Sequence, residues 1–552
     1  MSILTELCNK MAAMPQWLNN AVFYEIYPQS FYDSNGDGIG DIEGIIQKLD
    51  YIRSLGCNAI WLNPCFDSPF RDAGYDVRDH KKIAPRYGTN EDMFRLFAQA
   101  RKRGIKVLLD LIPGHTSEEH EWFKRSSEAK RNEYWNRYIW TDRWETWASG
   151  LKTILGEADR NASYIVNFFK SQPALNYGFF MPDQVWQFPM DHPDCIATRE
   201  AVKDIMRYWL DAGCDGFRVD MAASLVKFDD PENTGTAAIW KNVRAMMDDE
   251  YPQAALVAEW SCPRRSLKAG FHADFLLPFY DNSGYKSLFR LYQMDAENNI
   301  IGADSSFFKK DGDGDIFRFL DEYLPQYEAS KQDGYISLTS GNHDLPRLRL
   351  TLSPEEIAIA FAFIFTMPGV PFLYYGDEIG MRYLNLTSKE GGYHRTGART
   401  PMQWNRGKNL GFSQADPGSL YLPVDSAPDA PTVEDEERDP SSLLNTLKAI
   451  LRLRHEEKDL QAQPNLEILY AEKSKLPFVY RRASLLLAVN PGIESVGAEI
   501  GGGIDAAGLT PLYALGNCTF ERNYVKMEGR SFGIWRINQG GVYANSKSGT
   551  AD

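Results

Sequence analysis

The sequence predicts an α/β fold, a (β/α)₈ TIM barrel with a subdomain inserted after strand 3 and a C-terminal antiparallel β-sandwich. Three observations predict it. Eight short β-rich runs alternate with amphipathic helical patterns. The interval from Thr116 to Asp191 is aromatic-rich, irregular and far longer than the few residues that usually join a strand to its helix. After about Leu460 the pattern changes to short alternating runs parted by Gly and Asn.

The eight strands fall in AVFYEIYP from Ala21, NAIWLNP from Asn58, IKVLLDLIP from Ile105, CDGFRVD from Cys214, ALVAEW from Ala255, ADFLLPF from Ala273, YISLTSGNHD from Tyr335 and VPFLYYGDE from Val370. Between them, IIQKLDYIRSLG and MFRLFAQARKRG read as helices, closed by Gly56 and Gly104 where a left-handed C-terminal cap is expected. The barrel is thus assigned to 1–115 and 192–460, the inserted subdomain to 116–191 and the β domain to 461–552. A second insertion spans 380–440; its SAPDAPTVEDEERDP stretch reads as a solvated loop rather than a partner-binding tail.

Composition narrows the functional classes. The chain has 552 residues, enough for several large cores, and 60 Lys and Arg against 75 Asp and Glu give a net charge of −15. That balance opposes binding to phosphate backbones or anionic lipid, so nucleic acid and membrane are not expected partners. The seven cysteines are scattered, without CxxC pairs or zinc-ligand spacing, and read as reduced core thiols. The N-terminal MSILTELCNKMAAMPQW lacks the uninterrupted apolar region of a secretory signal, and the apolar run Ile357 to Met367 is too short to span a bilayer. A cytoplasmic location is expected.

A barrel places chemistry at the C-terminal ends of its strands, so acids that end strands carry the most information. Asp220 ends GFRVD, Glu259 ends LVAE and Asp344 ends SGNHD. A lone carboxylate at such a place serves as often as a cap or a rim salt bridge. Three together point to one pocket, where mutual repulsion raises at least one pKa and suits an acid and a nucleophile working side by side. Arg218, two residues before Asp220, faces the same side of its strand and is placed to clamp that carboxylate.

These residues resemble the α-amylase superfamily of glycoside hydrolases (family 13). DLIPGH (Asp110 to His115), GFRVD, AEW (Ala258 to Trp260) and GNHD look like its four signature segments, in order and on the third, fourth, fifth and seventh strands. The resemblance implies Asp220 as nucleophile, Glu259 as general acid/base and Asp344 as the acid that grips sugar hydroxyls and stabilises the transition state. It implies that His115 and His343 bond those hydroxyls and that Tyr75 supplies a stacking face. QPALN at Gln172, RTPMQW from Arg399 and GYDV from Gly74 resemble the oligo-1,6-glucosidase and α-glucosidase branch. There Asp76 and Arg399 would close off the non-reducing end, giving an exo-acting enzyme on short malto- or isomalto-oligosaccharides. Gly114, Ala174 and Met221 depart from the usual residues of the family and leave the linkage open.

The same intermediate intercepted by a sugar instead of water would make the chain a glucosyltransferase or isomerase of the trehalose- or sucrose-isomer type. An endo-acting α-amylase and a non-catalytic scaffold complete the alternatives; the scaffold is disfavoured because all three acids are present. Finally, Asp33, Asn35, Asp37 and Asp41 with the Ile39 carbonyl offer hard oxygens at alternate positions around Gly38. They look like the structural calcium loop of that branch, with Mg²⁺ as the other candidate ion, though such residues also make plain Asx turns. The similar KKDGDGD at Lys309 reads as a solvated turn.

Overall fold

The computed structural model describes residues 14–141, 150–277, 283–309, 311, 314–501 and 504–538. Residues 1–13 of the N-terminal segment read against a signal peptide, and positions 310, 312 and 313 of the KKDGDGD turn, lie outside these residues.

All eight expected strands form. They are β1 (Phe23–Ile26), β2 (Ala59–Leu62), β3 (Lys106–Leu111), β4 (Gly216–Val219), β5 (Ala255–Ala258), β6 (Ala273–Phe275), β7 (Tyr335–Ser337) and β8 (Phe372–Tyr374). They pair in parallel in the order β7-β6-β5-β4-β3-β2-β1-β8. Thr339 bridges Phe372, and Phe372 N–H donates to the Leu338 carbonyl at 2.9 Å, so β7 meets β8 and the barrel closes.

Period-two alternation sorts the side chains between two cores. Phe23, Ala59, Trp61, Leu108, Ala255, Val257, Ala273, Phe275 and Phe372 fill the barrel interior, where Phe23 and Phe372 stack at 4.3 Å. Their alternates, such as Tyr24, Ile60, Val107, Phe217, Leu256 and Leu373, pack outward on the helices. Counting in twos along the inward face leads from these apolar residues to Glu25, Asn63, Asp110, Arg218 with Asp220, and Glu259. The interior turns polar and charged at one end only, the end toward which all eight strands run.

The helices follow their sequence signals with one exception. Thr89 and Asp92 form a capping box at the start of Asn90–Lys102, and Ser353 and Glu356 do the same for Pro354–Ile364. Gly56 ends its helix at φ 99°, a conformation glycine takes without strain. IIQKLDYIRSLG is not one helix: it breaks at Lys48 into Ile42–Gln47 and Leu49–Leu55. The Lys48 ammonium there lies over the rings of Tyr32 and Trp404, 4.2 and 4.1 Å from their centroids.

The interval after β3 folds around a small antiparallel sheet (Trp140–Thr141, Thr153–Ile154, Ser163–Ile165) with its own core of Ile139, Ile165, Ala174 and Phe179. The stretch expected as a solvated loop in the second insertion contains a short helix, Val433–Arg438, with Thr432 as its N-cap and three acids in its first turn. At the C-terminus a five-stranded antiparallel sheet faces a three-stranded one. Val479, Leu486, Val525, Met527 and Trp535 pack between the two sheets. The opposite face of the larger sheet carries Phe478 and Tyr480, which meet Phe363 of the helix Pro354–Ile364. Among the described residues no helix is long and apolar enough to cross a membrane, and the described cysteines are free.

Candidate active site

Arg218 is the centre of the polar end of the barrel. Fully buried on β4, it reaches Asp110 Oδ1 at 2.8 Å and Asp220 Oδ1 at 3.1 Å through Nη1, and Glu259 Oε1 at 2.8 Å through Nη2. One guanidinium therefore joins carboxylates from the ends of β3, β4 and β5, and Asp220 and Glu259 lie within the span of its fork. The register explains the meeting: β3 pairs with β4 so that Asp110 sits opposite Arg218, and β5 places Val257 opposite Arg218, one turn of the pleat before Glu259. Met221, in the left-handed region at φ 44°, presents its N–H to Glu259 Oε2 at 2.8 Å. A non-glycine residue held there is strained, as residues at active sites often are.

Asp274 braces the loop after Glu259. Its carboxylate accepts from the backbone N–H groups of Trp260, Ser261 and Cys262 at 3.0–3.2 Å and from Ser266 Oγ.

Asp344 lies among cations. Its Oδ1 is 2.9 Å from Arg395 Nη1, 3.0 Å from Arg399 Nη2 and 3.5 Å from His343 Nε2. Arg399 also donates to the His343 carbonyl at 2.8 Å. His343 is held by Glu25 Oε1 at its Nδ1 (2.8 Å) and by the Tyr75 hydroxyl at its Nε2 (2.7 Å). The Tyr75 ring stacks on His343 at 5.4 Å, and its hydroxyl also reaches Asp110 at 3.1 Å. His115 is buried, with Nε2 at 3.1 Å from the Tyr75 carbonyl and Nδ1 at 3.2 Å from Asn167 Nδ2.

Electrostatics separates the three acids. Burial raises Glu259, and Arg218 only partly offsets it, leaving the acid at about 8. Burial also raises Asp220, against the pull of Arg218 and with a push from Asp110, to about 7. Burial acts upward on Asp344 too, yet His343, Arg395, Arg399 and Arg218 outweigh it and hold the carboxyl far below its ordinary range. At neutral pH the cluster thus holds its proton on Glu259 first and never on Asp344.

One expected residue does not join the others. Asp76 is buried, but its carboxylate accepts from the backbone N–H groups of Arg71 and Asp72 and from Ser68 Oγ, so it folds its own loop. Asp72, four residues earlier, lies beside the cations that hold Asp344. Its Oδ2 accepts from Gln172 Nε2 at 2.8 Å; its Oδ1 is buried without a hydrogen-bond partner, 3.6 Å from Arg395. Gln172 of QPALN is thereby placed, while Ala174 of the same segment lies in the core of the inserted subdomain. Asp72, Arg395, Asp110, Glu25 and Asn167 were not singled out from the sequence as site residues.

The loop from Asp33 to Asp41 is tested for a cation by its donors. Asp33 accepts from the N–H groups of Asn35, Gly36 and Gly38 and from Ser413 Oγ; Asn35 and Asp37 each accept from the N–H two residues on. Asp41 accepts from Ser34 and caps the next helix through Gly44 N–H. Asp33 and Asp41 are filled by the loop's own donors and by Ser413, whereas Asp37 accepts on one oxygen only; among the described residues no group of three or more His, Cys, Asp or Glu converges as a metal site. The melting temperature in millimolar calcium and in a chelator tests the loop: a fall of several degrees on chelation would show that it takes an ion, and equal values that its turns stand alone.

Fold and site together define a parallel barrel whose strand ends carry an arginine-linked carboxylate pair, beside a cation-bound third acid. Residues 25–463 match the family model of the alpha-amylase catalytic domain, and the chain belongs to the alpha-amylase family. It is 33% identical over 479 residues to the trehalose synthase/amylase TreS of Mycolicibacterium smegmatis, covering 79% of this chain and 76% of that one. It is 31% identical over 541 residues to the oligo-1,6-glucosidase of Heyndrickxia coagulans, covering 86% and 92%. In structure it resembles a variant of the isomaltulose synthase of Erwinia rhapontici NX5 solved with D-glucose, with a TM-score of 0.77, 24% identity, and 96% and 100% coverage. That likeness concerns the fold.

Proposed function

We propose that the protein is an exo-acting α-glucosidase that releases glucose from short malto- or isomalto-oligosaccharides with retention of configuration. The observation that carries this reading is the Arg218 fork, which sets Asp220 and Glu259 side by side while Asp72, Asp344, Arg395 and Arg399 gather at one end of the cluster. Retaining enzymes need two carboxyl groups ~5–5.5 Å apart. Asp220 attacks the anomeric carbon as Glu259 gives its proton to the leaving oxygen. An ester then joins Asp220 to the glucosyl unit, and Glu259, now a base, takes a proton from the water that cleaves it. Asp344, charged throughout, orients the sugar hydroxyls. The unpartnered oxygen of Asp72 and the guanidinium of Arg395 offer an acceptor and a donor to the terminal hydroxyls, which suits a closed end and exo-action.

The test is a panel of short α-1,4- and α-1,6-glucosides with analysis of the products. Glucose released one unit at a time is expected, and Asp72→Ala is expected to weaken kcat/KM ~10- to 100-fold, through the lost hydrogen bonds to the sugar. No glucose from any member of the panel, with folded protein, would reject the reading. Rapid viscosity loss of starch before any glucose appears would replace it by endo-action.

The match to a trehalose synthase at 33% identity favours a second reading, glucosyl transfer to a sugar. It differs only in what intercepts the ester on Asp220. A disaccharide isomer accumulating at high maltose or sucrose, in place of glucose, would identify it.

A further inference from the structure

A hydrogen-bonded chain on the wall beside Met221 plays no part in the bond-breaking steps above. It begins at Lys227, seven residues after Asp220 and 9% exposed. The Lys227 ammonium donates to Asn167 Oδ1 at 3.0 Å and to the Ser224 carbonyl at 2.7 Å. Among the described residues no carboxylate pairs with it.

An ammonium is only a donor, so the oxygen of the Asn167 amide must face it and the NH₂ must face away. That NH₂ lies 3.2 Å from His115 Nδ1, 3.4 Å from Ser224 Oγ and 3.8 Å from Met221 Sδ. A donor aimed at Nδ1 leaves that nitrogen as an acceptor, which puts the ring proton on Nε2, 3.1 Å from the Tyr75 carbonyl. Tyr75 in turn touches Asp110 and His343. Gly114 leaves room for this arrangement, since a Cβ there would stand 2.7 Å from Asn167 Nδ2. Burial holds His115 down at about 3, so the ring stays neutral.

We propose that Lys227 and Asn167 are a positioning pair: the lysine fixes the amide, and the amide fixes His115 as its Nε2–H tautomer against Tyr75. The consequence for substrate rests on the glucoside-acting reading above; the tautomer itself does not.

The test is NMR of the ¹⁵N-histidine-labelled full chain, which has eight histidines, with His115 identified by the signal missing in His115→Gln. The wild type at pH 7 is expected to show His115 neutral with its proton on Nε2. Asn167→Asp, which replaces the NH₂ by an acceptor of the same shape, is expected to move the proton to Nδ1 or to charge the ring. Lys227→Met is expected to mix the tautomers, and Lys227→Arg to restore the wild-type pattern. On a glucoside substrate, kcat/KM should fall ~10-fold in Lys227→Met and recover to within about 2-fold in Lys227→Arg. A wild-type His115 carrying its proton on Nδ1, or an unchanged tautomer in both Asn167→Asp and Lys227→Met, overturns the proposal. Should Lys227→Met not fold, the isosteric Asn167→Asp decides alone. A chain inactive on every sugar would sink the glucosidase reading and leave the tautomer result standing.

Discussion

Asp220→Asn is expected to lower kcat/KM by ~10⁴-fold or more while the protein stays folded, measured as glucose release alongside thermal melting. The magnitude follows from the role. Loss of a nucleophile removes the covalent intermediate, whereas loss of an orienting contact removes only part of the binding. Folding should survive because the carboxamide fills the same volume and keeps an oxygen toward Arg218, 3.1 Å from the present Oδ1. Asp110 and Glu259 still neutralise the guanidinium. Activity within about tenfold of wild type would remove Asp220 from the nucleophile's place.

The second large effect is expected at Arg218. Arg218→Met leaves Asp110, Asp220 and Glu259 with no shared counter-charge in a buried site, and removing one partner from such a group costs about 3–5 kcal/mol. The variant should melt well below wild type at pH 8 and recover part of the difference at pH 5, where the acids take up protons. The sign follows from linkage. Glu259 and Asp220 have folded pKa values raised by burial, so their contribution to stability is fully present below the ordinary carboxylate range and is lost as pH rises toward about 8. Asp344, held low by its cations, contributes in the opposite sense, and its share is lost only in strong acid. Removal of the guanidinium pushes Glu259 and Asp220 further up, so the variant's decline with pH should be steeper. Equal melting temperatures for variant and wild type at pH 8 would deny Arg218 its central place. In the wild type, kcat/KM should fall on the basic side with an apparent pKa near 8 as Glu259 loses the proton it must donate.

Much of this arrangement was legible in the sequence because strands announce themselves by alternation and a barrel directs their ends to one place. Asp220, Glu259 and Arg218 stand at strand ends, and counting in twos puts Arg218 and Asp220 on one face; Asp344, expected to end its strand, lies in the loop seven residues after β7. What was not legible lies in loops, where no period fixes direction. Asp72 and Asp76 flank the same Tyr75, four residues apart. Only the folded loop shows that Asp76 is consumed by neighbouring N–H groups while Asp72 keeps an oxygen for something else. Arg395 comes from a loop with no motif of its own, yet it bonds Asp344 at the same distance range as Arg399. Glu25 sits mid-strand and reads as one polar residue in an apolar run; its partner His343 is 318 residues away. The Asp33–Asp41 loop shows the opposite limit. The residue types that bind calcium also close Asx turns, and in this loop those turns are formed. The short helix at Val433–Arg438, by contrast, carried a readable signal in Thr432 followed by three acids, masked by the prolines and charges around it.

Mass spectrometry tests most directly whether Asp220 bonds covalently to the sugar. A glucosyl fluoride bearing fluorine at C2 slows hydrolysis of the ester and lets it accumulate. Digestion of the labelled protein is expected to place one deoxyfluoroglucosyl unit on Asp220, with no label in Asp220→Asn. A stoichiometric label on another carboxylate, or a competent enzyme that turns over the reagent through inversion without ever carrying a label, would contradict the account.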